Sequence, residues 1–410
     1  MLYKVVKIVY DDVDDILTKK KIETNTGYFH KIALGLLIFA NIFDMGGAIG
    51  IKYISFLLII PLCFYCLQKF KIKHTILLLG LFVFIFWPIF SVLVGLINNG
   101  DISLALSQIT PFFCGLIFFI VLTEINNKKY PLRLIYNGLI VLSVITILAF
   151  FLLELCPELK TTSIFNILFP HPQNGYFGFR PFGNIRVPNI YFRATLFMVP
   201  AFIYFLFNRE FIKSIILFTG LLVSFSKAGI LIALLFLIIF IAWNHSIQKY
   251  KKCLFFLLII LLLSISSYTI PLFGNEIINV ISGKHETIAI RSEHLKSVIA
   301  LFENHPSYFI IGQGTGTQFF STAVNREISN IEIDHVNAIR KFGLIWFLII
   351  CSIIYYISYR LITNKDRELK AVGFALIGLF LAVGTNPVFI NPLFFMILFA
   401  SYFILEGDSS

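Results

Sequence analysis

Charge is what this chain has least of. Only 13% of its 410 residues are Asp, Glu, Lys or Arg, about half the share in an ordinary soluble domain, while 58% are hydrophobic and the mean hydropathy is +0.88. A water-soluble globular enzyme is thereby excluded. Acidic residues are the scarcer sign, 22 against 33 Lys and Arg, leaving a net charge of +11. That excess does not indicate a nucleic-acid binder, because most of it falls in short loops between apolar runs, where the positive-inside rule places it. Cysteine is thin as well. Of six cysteines, Cys63, Cys66, Cys114, Cys253 and Cys351 lie in or at the ends of apolar runs, and only Cys156 adjoins a long loop. The Cys63-x2-Cys66 pair lacks the second pair of ligands that a zinc site needs, so neither a metal site nor a disulfide framework is expected. Period-two alternation is missing, which argues against a membrane β-barrel. The N-terminus lacks a short basic region followed directly by an apolar core, so no cleavable signal is expected. The two halves also lack the matched broken helices of many secondary transporters.

Apolar runs of about 17–25 residues, long enough to cross a bilayer as helices, recur along the whole chain. The expected fold is all-α: a polytopic membrane protein of about twelve transmembrane helices, at 32–46, 51–67, 75–97, 103–123, 133–155, 190–207, 211–225, 228–243, 253–271, 343–359, 371–385 and 391–405. Each even-numbered exit is basic: Lys69, Lys71 and Lys73, then Lys128, Lys129 and Arg133, then Arg209 and Lys213, then Lys249, Lys251 and Lys252, then Arg360, Lys365, Arg367 and Lys370. Both termini are therefore expected in the cytoplasm. Residues 1–30 read as an amphipathic segment on the cytoplasmic face, with Leu2, Val5, Val6, Val9, Val13, Ile16 and Leu17 at helical spacing. Residues 31–406 form a single transmembrane domain with two large outer loops, 156–189 and 272–342.

Those loops and their borders hold the polar residues that need a reason. Lys227 interrupts the apolar run 212–243, where a cation costs about 3 kcal/mol on insertion scales unless it meets water or an anion. It is either a loop lysine capping a tight outer turn or an anion ligand, and the turn offers little else to attract a charge. Treated as a helix, 287–303 puts Arg291 on the face of Ile288, Leu295, Val298, Ile299 and Phe302, where it can snorkel to headgroups or bind an anion; we favour the anion. His335, in Ile-Glu-Ile-Asp-His-Val-Asn, has Glu332 three residues before it and Asp334 adjacent, and a carboxylate beside an imidazole suits a general base. Gly312, Gly314 and Gly316 lack a βαβ setting, which excludes a dinucleotide site; they read as a sharp turn before they read as a phosphate cradle. Arg180, Arg186 and Arg193 cluster where the first loop enters an apolar helix, an arrangement suited to bidentate binding of a diphosphate.

In that order and spacing the chain resembles the O-antigen polymerase and O-antigen ligase superfamily of bacterial inner-membrane glycosyltransferases. The resemblance rests on Arg180-x-x-Gly183 with Pro188-Asn189, the Ser226-Lys227-Ala-Gly229 turn, Arg291 ahead of Gly312-x-Gly-x-Gly316, and His335 followed by Gly343. It covers about residues 175–360 together with the overall topology. The family turn usually reads Ser-Arg, here Ser226-Lys227, and ligases often have His-Asn as neighbours, whereas here Asn337 stands two residues past His335. The resemblance implies periplasmic outer loops, undecaprenyl-diphosphate-linked oligosaccharides as donor and acceptor, inverting transfer without a metal or cofactor, and a chain-length regulator protein as partner. With no Asp-x-Asp in the outer loops to hold a metal, Arg291, Lys227, Arg180 and Arg193 are the expected diphosphate ligands. His335, with Glu332 or Asp334, is the expected base. A ligase moving the same glycan to lipid A-core is the nearest alternative; a polysaccharide flippase, which would spread buried charges through several spans, is the alternative of another class.

Overall fold

A long helix that stops being helical for a single residue organises the fold. The computed structural model describes residues 30–47, 50–69, 79–158, 175–182, 185–243 and 286–408. The expected amphipathic segment 1–30 and the expected span 253–271 lie outside the described residues, the first except for its last residue. The apolar runs fold as helices: α1 (His30–Phe43), α2 (Ile51–Lys69), α3 (Leu79–Ile97), α4 (Ile102–Leu122), α5 (Tyr130–Leu155), α6 (Thr195–Phe207), α7 (Phe211–Val223) and α8 (Lys227–Trp243). After the second loop come α9 (Glu286–Asn304), α10 (Pro306–Ile311), α11 (Asp334–Ile362), α12 (Arg367–Val383) and α13 (Pro392–Asp408). Among these, α3, α4, α5 and α11 are long and apolar enough to cross a membrane, and α1, α2, α6, α7, α8 and α13 are shorter apolar helices.

Sequence chemistry explains several details. Asp101 caps α4 by accepting from the Leu104 amide at 2.6 Å, and Asp366 caps α12 through the Glu368 amide at 2.8 Å. Pro88 follows a π-helical turn, Phe82–Phe86, inside α3; a proline lacks the amide hydrogen and crowds the preceding turn, which the wider turn accommodates. The buried core is rich in aromatics: Phe112 packs on Phe342, Trp346 and Phe395, and Phe389 on Phe394.

Two elements depart from the all-α expectation. The first outer loop contains an antiparallel hairpin, β1 (Gly175–Phe182) with β2 (Ile185–Phe192), in register from Gly175↔Phe192 to Phe182↔Ile185. β2 therefore takes the first residues of the expected span 190–207, and helix begins only at Thr195. The second loop carries a smaller pair, β3 (Phe319–Ser321) with β4 (Arg326–Ile328). This loop has its own core, in which Val298 of α9 packs with Phe319 and Ile331.

The break in α11 is at Gly343, with φ 82 and ψ 162. Interrupting a helix frees carbonyls, and in an apolar setting each needs a donor. The glycine turn 312–316 and α3 share in supplying them. The Gln313 amide donates to the Arg340 carbonyl at 2.6 Å and the Gly314 amide to the Lys341 carbonyl at 3.2 Å. Ser91 Oγ also donates to the Lys341 carbonyl at 2.9 Å, and Trp87 Nε1 to the Phe342 carbonyl at 2.7 Å. The Thr315 amide bonds the Ser91 carbonyl at 3.0 Å, and the Gly316 amide bonds Gln108 Oε1 at 3.0 Å. With the amides of 313–316 all committed, the turn is a docking element and not a phosphate cradle. Arg340, fully buried, reinforces it by donating to Gln313 Oε1 at 2.6 Å, Thr317 Oγ1 at 3.2 Å and the Ser329 carbonyl at 2.6 Å.

Candidate functional site

The second loop's core fixes where Arg291 points. On α9 the inward face is Arg291, His294 and Val298, spaced by three and four. His294 Nδ1 meets Ser321 Oγ of β3 at 2.7 Å, and Val298 is fully buried. Ile299, expected on this face, is exposed; the apolar stripe is narrower than its sequence spacing indicated. One turn before His294, Arg291 leaves the small core. Its Nε and Nη2 both reach Glu332 Oε2 at 2.7 Å, and Nη2 also reaches the Thr385 carbonyl beyond α12 at 3.3 Å. Both side chains of this pair are partly exposed, 34% and 49%.

Glu332 therefore serves Arg291, not His335. It lies two residues before α11 begins, so the helical face that would have carried it to the imidazole does not exist there. Asp334 also turns away. It is buried, accepting from the Phe389 amide and from Asn337 Nδ2, and it lies within Coulombic reach of buried Lys341. Its place is in tying α11 to the segment before α13.

His335 stands in an aromatic box. Its ring stacks on Phe380 at 4.5 Å and 21°, meets Phe389 edge-on at 5.2 Å, and lies 5.6 Å from Phe347. Gly384 closes the box so tightly that a Cβ there would come within 2.5 Å of the ring. The imidazole hydrogen-bonds the Phe380 carbonyl, and its Nε2 is buried without a partner among the described residues. A buried ring nitrogen left unmatched costs about 1–3 kcal/mol, and a ligand hydroxyl would remove that cost.

The first loop reaches the same place through β2. Tyr191 lies within Coulombic range of Glu332; burial first, and that carboxylate second, push its hydroxyl pKa upward and keep it protonated. Asn189, two residues earlier on the same strand face, is fully buried, and neither Oδ1 nor Nδ2 has a partner among the described residues. It forms part of the Pro188-Asn189 motif but was not among the expected site residues, because nothing in the residue order shows that the strand buries its amide without partners. We expect Asn189→Ala to lower the activity of the site about tenfold to a hundredfold while leaving the protein at least as stable, since it removes two unmatched polar atoms. Activity of membranes and the melting temperature of the purified protein read the two effects separately.

The remaining cations are placed less closely. Arg180 pairs with Val187 across the hairpin, and its side chain lies outside what is described. Arg193 is exposed just past β2 and within Coulombic range of Lys52, at the start of α2. Lys227 is exposed at the first residue of α8, after a turn whose Phe225 has φ 51. Because Trp243 at the far end of α8 shares a cavity with Arg367 at the start of α12, Lys227 lies at the same end of the bundle as Thr385. Arg291, His335, Asn189 and Lys227 thus share one end, with Arg291–Glu332 as their best-defined contact.

Compared with known families, residues 212–339 match the model described as O-antigen ligase. The matched segment runs from α7 through α9, the glycine turn and the first residues of α11, and so contains Lys227, Arg291 and His335. The superfamily resemblance read from the residues is supported over that segment. No curated protein matches the chain.

Proposed function

We propose that this chain, a membrane protein with an O-antigen polymerase and ligase family segment, is an O-antigen polymerase. It joins undecaprenyl-diphosphate-linked oligosaccharide repeats at the periplasmic end of a bacterial inner-membrane bundle with both termini cytoplasmic. The observation that carries this reading is the partly exposed Arg291 guanidinium held at one end of the bundle with two unmatched polar groups, His335 Nε2 and the Asn189 amide. A partly exposed guanidinium suits a diphosphate leaving group, and unmatched buried hydrogen-bonding atoms suit sugar hydroxyls.

In this mechanism an acceptor sugar hydroxyl attacks the anomeric carbon of the donor from the face opposite the diphosphate. The new C–O bond forms as the bond to phosphate breaks, and undecaprenyl diphosphate departs with the electron pair, its growing charge met by Arg291 and Lys227. The hydroxyl proton passes to His335 Nε2. Arg180 and Arg193 belong to the first-loop side of the same anion site. Glu332 holds the guanidinium in place and Asp334 holds the start of α11, so both act as positioning residues.

Ligation to lipid A-core is the second reading, favoured by the description of the matching family. Against it stands Asn337, the nearest counterpart of the ligase His-Asn neighbour. Its amide is already engaged with Asp334, Asn330 and Arg340, unlike the unmatched Asn189 amide. Complementation separates the two: in a polymerase-deficient strain the wild type restores a ladder of repeats on lipopolysaccharide gels. His335→Ala is expected to reduce that ladder at least about a hundredfold at normal membrane abundance. Rescue of a ligase-deficient strain, with no rescue of the polymerase-deficient one, would assign ligation instead.

A further inference from the structure

The two faces of the β1–β2 hairpin have different surroundings. Successive side chains of a strand point to opposite faces, and the register sets Phe177 opposite Ile190 and Phe179 opposite Pro188 on one of them. That face is packed: Ile190 is buried in the main core, Phe177 and Phe179 lie against it, and β2 runs along α5. The other face carries Tyr176 opposite Tyr191 and Gly178 opposite Asn189. It looks toward the second loop, since the Tyr191 hydroxyl lies within Coulombic range of Glu332, the carboxylate that holds Arg291.

Three features of this second face belong together. Asn189 is fully buried, and neither Oδ1 nor Nδ2 has a hydrogen-bond partner among the described residues. Across from it Gly178 has no side chain, and the Tyr176 ring leans over the gap: a Cβ on Gly178 would come within 2.7 Å of the Tyr176 hydroxyl and 3.0 Å of its Cζ. Tyr176 is itself 40% exposed, so part of its side chain is reachable from outside the hairpin.

An amide with both atoms unmatched selects its ligand, because Oδ1 needs a donor and Nδ2 an acceptor. A diphosphate diester, fully ionised at neutral pH, offers acceptors only and would leave Oδ1 unmatched. Sugar hydroxyls both donate and accept, so a vicinal pair satisfies both atoms at once. The aromatic ring fits the same ligand: a pyranose has a C–H face that packs on the flat of a tyrosine while its hydroxyls project outward.

We propose that Tyr176, Gly178 and Asn189 form a pyranose subsite for the donor sugar that carries the diphosphate. Position decides which sugar it holds, because Tyr191 on the same face comes within Coulombic range of the Glu332–Arg291 pair. Asn189 is a specificity residue, and Gly178 is a positioning residue that leaves room for the Tyr176 ring. The assignment rests on the glycosyl-transfer reading of the Arg291 end.

The test compares two lipids on the purified full chain in detergent: undecaprenyl diphosphate, and the lipid-linked oligosaccharide extracted from membranes of the source bacterium. The readout is the ratio of their dissociation constants, in which partition into micelles cancels. Wild type should bind the sugar-bearing lipid at least about tenfold more tightly, as two hydrogen bonds and a ring contact would give. Asn189→Ala should cut that ratio at least about fivefold, and Gly178→Ala, whose methyl displaces the Tyr176 ring, about threefold, with undecaprenyl diphosphate bound as in wild type. A wild-type ratio near one, or an unchanged ratio in Asn189→Ala, overturns the subsite and leaves the diphosphate reading in place. An unchanged ratio in Gly178→Ala alone removes Tyr176 and Gly178 from it. Failure of the wild type to bind undecaprenyl diphosphate at all would defeat the glycosyl-transfer reading and the subsite with it.

Discussion

Arg291→Ala is expected to lower glycan polymerisation by about a hundredfold to a thousandfold, the range seen when one fixed donor to developing charge is removed from an active site. The difficulty is that Arg291 is also tied to Glu332 at 2.7 Å and to the Thr385 carbonyl at 3.3 Å, so its loss could act through structure alone. A charge swap separates the two roles. In Arg291→Glu/Glu332→Arg the ion pair can re-form with its partners exchanged, but the cation now comes from the segment before α11. If the pair only fastens the second loop, the swap restores most activity. If Arg291 binds the diphosphate, the swap stays as inactive as Arg291→Ala while its melting temperature returns toward wild type. Glu332→Gln adds a third point: it leaves the guanidinium less firmly held without removing it, and transfer should fall only about threefold to tenfold. Because the pair is partly exposed, its contribution to stability is about 1 kcal/mol or less, so a large loss of activity without a matching loss of melting temperature assigns Arg291 to the substrate. Gel ladders from membranes of equal protein content, beside thermal melts, supply the measurement.

Much of this arrangement can be read from the residues, because membrane insertion imposes a coarse code. Continuous apolar runs announced helices at 51–67, 103–123 and 371–385, and the helices lie at Ile51–Lys69, Ile102–Leu122 and Arg367–Val383. Arg291 stood out because a cation on an apolar helix face needs a partner. What the residues did not show was which partner. Sequence proximity paired Glu332 with His335, but the helix starts only at Asp334 and the small core of Val298, Phe319 and Ile331 brings α9 beside Glu332 instead. The hairpin β1–β2 was hidden for a related reason: Ile190, Tyr191 and Phe192 are as apolar as the helix that follows, and only long-range pairing with Gly175–Phe177 makes them a strand. His335 could be identified as a candidate, but not its box, since Phe380 and Phe389 come from segments about fifty residues away in the chain.

The glycine turn carries the largest effect on folding, and Gly314→Ala is where it should be strongest. Gly314 has φ +95, and a Cβ built on it would lie 2.1 Å from the Gly95 amide nitrogen and 2.8 Å from the Ser91 carbonyl oxygen. These are backbone atoms of α3, which cannot rotate aside as a side chain would. A left-handed backbone conformation costs an ordinary residue about 1–2 kcal/mol, and overpacking a tight contact adds about 1–3 kcal/mol. The consequences do not stop at the clash. Pushing the turn away from α3 also withdraws the Gln313 and Gly314 amides from the carbonyls freed at the Gly343 break, and removes the Gln313 acceptor from fully buried Arg340. A buried guanidinium that loses a partner is costly in its own right, about 3–5 kcal/mol when the pairing is a full one. Gly314→Ala should therefore reduce folded protein in the membrane severalfold and lower the melting temperature of what remains. Gly80→Ala, in the first turn of α3 with nothing within 4 Å of its added Cβ, should match wild type, since alanine favours the helix. Equal abundance and equal melting temperature for the two alanine variants would show that the turn is not docked as described, and would remove the reason for Gly343 to break α11.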